Sequence, residues 1–134
     1  MMFLNAARAV FALLFVLVTW LTVTPNPDDT KESLAIARWI SAMLLGDSAY
    51  SDKVAHFMAY ASLGGAAALG QLRLAGRAAY TIIALALYGI ALEGVQGAMG
   101  VRDPEISDAL ANALGAIAGT LSGGLMLTMW RVRA

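Results

Sequence analysis

Residues 78–99 carry a single charged side chain, Glu93, in an otherwise uncharged run rich in Ala, Leu, Ile and Gly. A helix needs roughly 17–25 predominantly apolar residues to cross a bilayer, so this run is long enough. Comparable runs occupy residues 5–24, 52–74 and 104–130. Composition points the same way. The 134 residues are 60% hydrophobic and 13% charged, whereas soluble domains average about 45–50% apolar and about 25% charged residues. A chain this short cannot hide so much apolar side chain inside a globule. Lipid is the solvent left for it. The expected architecture is therefore all-α. It is a polytopic membrane protein with four transmembrane helices and one short interfacial helix (residues 30–45) in the first extracytoplasmic loop. One domain spans residues 1–134.

Several function classes drop out at this level. Lys and Arg total 9 and Asp and Glu total 9, so net charge is zero and no basic patch argues for nucleic acid. Cysteine is absent, which removes disulfides, thiolate metal sites and cysteine nucleophiles. No GxSxG, P-loop or dinucleotide fingerprint is present. Neither HExxH nor paired-histidine spacing occurs, so the expectation is no metal and no cofactor.

The chain reads in order as follows. Arg8 precedes an apolar run over residues 9–24, which fits a cleaved signal peptide or a retained helix. The bulky, β-branched Thr22, Val23 and Thr24 favour retention. Pro25 and Pro27 end that helix. Asp29 and Glu32 form a capping-box pattern. The helix they open places Ile36, Ile40, Met43 and Leu44 on one face beside Trp39. Such a helix either packs on the bundle or lies flat at the membrane surface. Gly46 stops it. Ser51 or Asp52 caps the next helix, whose first two turns put Lys53, His56 and Tyr60 on one face. Gly76 is the expected stop signal after it. In the third span Gly89, Gly94 and Gly97 form a small-residue stripe beside Glu93, and Gly100 ends the helix. Asp103, Pro104 and Glu105 are a start signal for the last helix. There Gly115, Gly119 and Gly123 recur every four residues, the pattern of a tight helix seam. Trp20, Trp39 and Trp130 read as interfacial anchors.

Orientation follows from the basic residues. Arg8, Arg73, Arg77, Arg131 and Arg133 fall on one side with no acid among them, which predicts both termini in the cytoplasm. His56, Tyr60, Glu93, Gln96, Arg102, Asp108 and Asn112 then gather toward the outer face. At 1.5 Å per residue, Glu93 and Asn112 each lie roughly 10 Å below a helix end. A carboxylate at that depth costs roughly 2.5 kcal/mol or more to insert, so intramembrane acids mark functional sites by default.

At these residues the sequence resembles the VanZ-like family of small bacterial membrane proteins. The matching pieces are Asp52-Lys53-x-x-His56-Phe57-x-x-Tyr60 with Leu63-Gly64, then Glu93-x-x-Gln96, Arg102, and Asp108-x-x-x-Asn112-x-x-Gly115. The likeness covers residues 52–124. It departs at Asp103-Pro104-Glu105, where the family has a more aromatic or apolar turn. The resemblance implies a multi-pass protein of the bacterial cytoplasmic membrane. The family's named member is linked to low-level resistance to teicoplanin, and no settled reaction comes with it. The expected ligand-binding set is Asp52, Lys53, His56, Tyr60, Glu93, Gln96, Arg102, Asp108 and Asn112.

Each residue also has a plainer reading. Glu93 is an acid or base, or an ion pair with Arg102 or Lys53, or a partner of Gln96. His56 shuttles protons or only packs. Lys53 and Arg102 hold a lipid phosphate, or merely offset Asp52, Asp103 and Glu105. Three functions are compatible with these readings. The first is a binding protein for membrane lipid or a lipid-linked envelope precursor, with an effect on glycopeptide susceptibility. The second is an enzyme acting on a lipid headgroup through Glu93, His56 and Asp108. The third is a proton-coupled transporter. Oligomeric state is left open.

Overall fold

The computed structural model describes residues 1–24, 27–100 and 104–133, with side chains omitted at 27–34 and 133. Five helices run in order: α1 (Met2–Val23), α2 (Pro27–Leu45), α3 (Ser51–Leu69), α4 (Ala78–Ala98) and α5 (Ile106–Arg133), with a 3₁₀ turn at Ser48–Tyr50 before α3. Among the described residues every regular element is helical. Three helices, α1, α4 and α5, are long and apolar enough to cross a membrane. α3 does not qualify, because Asp52, Lys53 and His56 occupy its first two turns. Of the four expected spans, three are thus matched on length and composition, and α3 is not.

The helix bounds correct the sequence reading in several places. α3 stops at Leu69, not near residue 74. The N–H of Gln71 donates to Ala68 O (3.0 Å) and that of Leu72 to Ala67 O (2.8 Å). Gln71 has φ +52°. This is a Schellman stop with glutamine where glycine is usual, so its signal is invisible in the sequence. The N-cap of α3 is Tyr50, and its side chain makes no capping bond. Asp47 instead caps the 3₁₀ turn, accepting from Ala49 N–H. α2 starts at Pro27, a first-turn position where the missing N–H costs nothing. The capping-box side chains Asp29 and Glu32 lie outside the described residues. In α5 the carbonyl of Glu105 accepts from Asp108 and Ala109, so the helix opens two residues later than expected. Asp103 and Arg102 lie outside the described residues.

α3 is the hub. It packs most extensively on α5 and also against α1 and α2, while α4 leans mainly on α5. The α3–α5 seam is the glycine row read from the sequence. A methyl at Gly115 would strike the Phe57 carbonyl, and one at Gly119 the Ala61 carbonyl. One at Gly123 would lie 2.8 Å from Gly65 O. Only residues without a β-carbon let the two backbones approach this closely. Gly94 breaks the expected stripe on α4, since nothing lies within 4 Å of where its Cβ would be.

Contacts sort the helix ends. Phe3 and Trp130 place their rings 5.4 Å apart, so the start of α1 meets the end of α5. Arg8 Nε donates to Gly70 O (3.0 Å). Thr81 Oγ1 donates to Leu72 O (3.0 Å). Both chain ends thus share one end of the bundle with Arg73 and Arg77. At the other end Gln96 Nε2 donates to Thr22 O (2.8 Å), tying α4 to α1. Leucines and isoleucines at 83, 87 and 90 on α4 and at 110, 114, 117, 121 and 125 on α5 are exposed. These outward stripes are the surfaces a bilayer would cover. α2 packs through Ala37 and Ser41, and its larger apolar residues Ile36, Trp39 and Met43 face outward. Its apolar face is thus not the one packed on the bundle.

Candidate functional site

The first two turns of α3, the last turns of α4 and the first two turns of α5 meet at the end of the bundle away from the termini. α3 contributes Asp52, Lys53, His56 and Tyr60 at successive turns of one face. α4 contributes Glu93 and Gln96, one turn apart. α5 contributes Asp108 and Asn112, also one turn apart. Tyr60, Glu93, Gln96, Asp108 and Asn112 are buried, and Asp108 has no exposed surface. Of the nine sequence-predicted residues, Arg102 lies outside the described set, and seven of the others join one layer. Gln96 faces α1 instead, through its bond to Thr22.

Two linked networks make up the layer. In the outer one, the Lys53 ammonium donates to Asp52 Oδ2 (2.7 Å) and to Glu105 Oε2 (2.5 Å), and pairs with Asp108 Oδ1 (2.8 Å). Ser107 Oγ also donates to Glu105 Oε2 (3.0 Å). Of the two readings of Lys53, the geometry favours countercharge, because its nitrogen is surrounded by carboxylates. Among the described residues, the near neighbour of Glu93 is His56.

The inner network centres on His56. The amide oxygen of Asn112 can only accept, so the Nδ1–H of His56 donates to it at 3.0 Å. His56 Nδ1 also stands 3.8 Å from Glu93 Oε1, and Nε2 stands 3.7 Å from Asp108 Oδ2. The single histidine of the chain is thus flanked by two buried carboxylates. Asp108 joins the networks, with one oxygen toward Lys53 and the other toward His56.

Gly89 lets this layer close. A methyl there would lie 2.9 Å from Asn112 Nδ2 and 3.2 Å from Tyr60 Cζ. The ring end of Tyr60 and the amide of Asn112 therefore flank one point on α4. Tyr60 is 2% exposed, and its hydroxyl has no hydrogen-bond partner among the described residues. Beneath the layer the buried positions Leu63, Gly64, Ala67, Leu85 and Ala116 are apolar.

A side groove of about 490 Å³ lies on the α1–α4 side, lined by Phe11, Phe15, Ala84, Leu85 and Tyr88 and, at the end shared by the termini, by Leu72, Arg73, Leu74 and Thr81. Tyr88 stands at the groove's upper end, stacking on Phe15 (centroids 4.5 Å apart) and sharing a hydrogen bond with Thr19. Neither Tyr88 nor Thr19 stood out in the sequence. Aromatic and hydroxyl residues in apolar runs are common, and nothing in their spacing shows which helix they face. Within the layer, Glu105, read from the sequence as a first-turn acid and as one of the charges that Lys53 or Arg102 offsets, is a direct partner of Lys53.

The chain matches no family model, no curated protein and no solved structure.

Proposed function

We propose that the chain is a VanZ-like protein of the bacterial cytoplasmic membrane that binds a cell-envelope amphiphile, with both termini in the cytoplasm. In this reading α3 is the fourth spanning helix. Its 19 residues reach roughly 28 Å at 1.5 Å per residue, close to the hydrocarbon thickness. Its polar first turns are tolerated because α5 and α4 cover them. α2 lies at the outer surface with Trp39 and Met43 toward lipid.

One observation carries the binding proposal: a buried polar layer from three helices lies at one end of the bundle, and a largely apolar side groove runs from Tyr88 toward the other end. The groove volume of about 490 Å³ falls within the roughly 300–1,000 Å³ usual for small-molecule sites. The tail lies along Phe11, Phe15 and Leu85, and the head meets Glu93, His56 and Tyr60. Lys53 is already engaged by Asp52, Glu105 and Asp108, so the protein side chains themselves favour a head rich in N–H and O–H donors. A lipid-linked envelope precursor or the acylated sugar of a lipoglycopeptide has that chemistry. An effect on teicoplanin susceptibility follows if the latter is held.

The test is binding of fluorescent lipoglycopeptide and of lipid extract to the purified protein in nanodiscs. Glu93→Gln should weaken binding severalfold without abolishing it. Retention no greater than that of empty nanodiscs would refute the proposal. A second reading, catalysis on a lipid headgroup, is favoured by the 3.8 Å gap between His56 and Glu93, which one water can bridge. It requires a changed headgroup species in lipids from overexpressing cells. Proton transport is less well supported, because the buried positions below the layer are mostly apolar.

A further inference from the structure

We propose that the end of the bundle shared by both termini holds an anionic phospholipid, with its phosphate between Arg73 and Arg131 and an acyl chain in the α1–α4 side groove. A second, smaller cavity of about 120 Å³ lies at that end, among the last turns of α3, the later turns of α5 and the start of α4. Gln71, Arg73, Thr128 and Arg131 are part of its wall. The groove of about 490 Å³ begins at the same place, because Leu72, Arg73 and Thr81 line both spaces. A polar recess that shares a wall with a largely apolar channel is shaped for an amphiphile.

Charge selects the sign of the head. Residues 1–24, 53–92 and 109–134, from which this end is built, contain no Asp or Glu. Among the described residues, neither Arg73 nor Arg131 has a carboxylate partner. Two guanidinium groups on one small cavity repel each other, and an anion between them removes that repulsion. Arginine pairs with phosphate bidentately, and basic recesses between spanning helices recur as sites for anionic headgroups. A zwitterionic headgroup would bring a cation of its own to the same place. The loop that carries Arg73 is also held ready. Thr81 Oγ1 donates to Leu72 O (3.0 Å) and accepts from Leu74 N–H (3.1 Å), so α4 pins the backbone on both sides of Arg73. Gln71 keeps its φ of +52° where glycine would carry no penalty. It gives the wall of the recess an amide side chain that glycine lacks.

The groove fits a tail from the nearer leaflet. From Thr81 to Tyr88 the helix rises roughly 10 Å at 1.5 Å per residue, within the roughly 15 Å that is half of a 30 Å hydrocarbon core. Phe11, Phe15 and Leu85 wall that stretch. A free phosphate ion would fill the recess and leave the groove empty, so a lipid is the better source of the phosphate. The inference rests on the membrane reading above and not on the ligand proposed there. That ligand has its head at the opposite end and its tail in the same groove, so the two exclude each other.

The test uses full-length protein, delipidated in a neutral detergent and titrated with phosphatidylglycerol, phosphatidylcholine or inorganic phosphate, with bound species counted by native mass spectrometry. Phosphatidylglycerol should saturate at one equivalent and bind severalfold more tightly than phosphatidylcholine. Arg73→Gln and Arg131→Gln should each weaken phosphatidylglycerol binding about fivefold. Ala84→Phe, which fills the groove and removes no charge, should weaken it severalfold. If a variant does not fold, as judged by elution and circular dichroism, the wild-type preference between the two lipids decides alone. Equal binding of both lipids by the wild-type protein overturns the inference. So does phosphatidylglycerol binding untouched in the folded arginine variants or in folded Ala84→Phe. Inorganic phosphate bound as tightly as phosphatidylglycerol marks an ion site without a lipid and overturns it too. Fluorescent lipoglycopeptide binding to the same delipidated protein reports on the preceding proposal separately, so either can fail without the other.

Discussion

Lys53 decides how the polar layer is held. Its nitrogen reaches three carboxylates, but their surroundings differ. The Asp108 side chain is fully buried, whereas the Glu105 side chain is 46% exposed. Removing one partner of a buried pair costs about 3–5 kcal/mol, while exposed pairs contribute about 0–1 kcal/mol. Lys53→Met, which takes the ammonium away from Asp108, should therefore lower stability by about 3–5 kcal/mol. Glu105→Gln should lower it by less than about 1 kcal/mol. Unfolding in mixed micelles monitored by circular dichroism checks both. Equal losses would mean that burial does not govern this network. The sequence supplied the candidates for Lys53's partners, because acids at positions 52, 105 and 108 are plain to read. It could not rank them, because exposure depends on how far the start of α5 extends past α3.

At the scale of elements, the α3–α5 seam sets the spacing of the whole bundle. The four-residue glycine repeat was legible in the sequence because a small-residue row on a helix is a local pattern. Its partner was not, since any neighbouring helix can use such a row. The structure places Gly119 against the Ala61 backbone, which cannot move aside as a flexible side chain would. Gly119→Ala should force the helices apart and cost about 1–3 kcal/mol. Gly124, on the same helix, has nothing within 4 Å of its Cβ position. Gly124→Ala should be neutral or stabilise by up to about 1 kcal/mol through helix propensity. Thermal unfolding of the two variants side by side is the measurement, and a destabilised Gly124→Ala with an unaffected Gly119→Ala would contradict the packing. The Gln71 turn shows the reverse case. Its left-handed φ is imposed by the Schellman bonds, and no residue-level signal announced it.

For the whole molecule, the question is whether α3 crosses the bilayer. Ser48 precedes α3 and Ala75 follows it, and the chain has no native cysteine. With both termini in the cytoplasm, an impermeant maleimide should label Ser48→Cys in intact cells. Ala75→Cys should be labelled only after permeabilisation. Labelling of both from one side would remove α3 from the set of spans, and a reversed pattern would move the polar layer to the cytoplasmic side. The helix ends already sort by charge, with Arg8, Arg73 and Arg77 at the end shared by both termini. That sorting agrees with the positive-inside expectation without assigning the compartment.

By itself the sequence determined that this chain is helical, apolar enough over several segments to span a membrane, and polar at a few named positions. Hydrophobicity and helical periodicity are properties of neighbouring residues, so they survive without coordinates. Only the tertiary structure decided that α3 is the hub, that Lys53 belongs to Asp52, Glu105 and Asp108, and that His56 stands between Glu93 and Asp108. Those facts depend on the rotation of each helix about its axis and on backbone separations of a few ångströms. Both are outcomes of packing the whole chain at once, and no single segment encodes them.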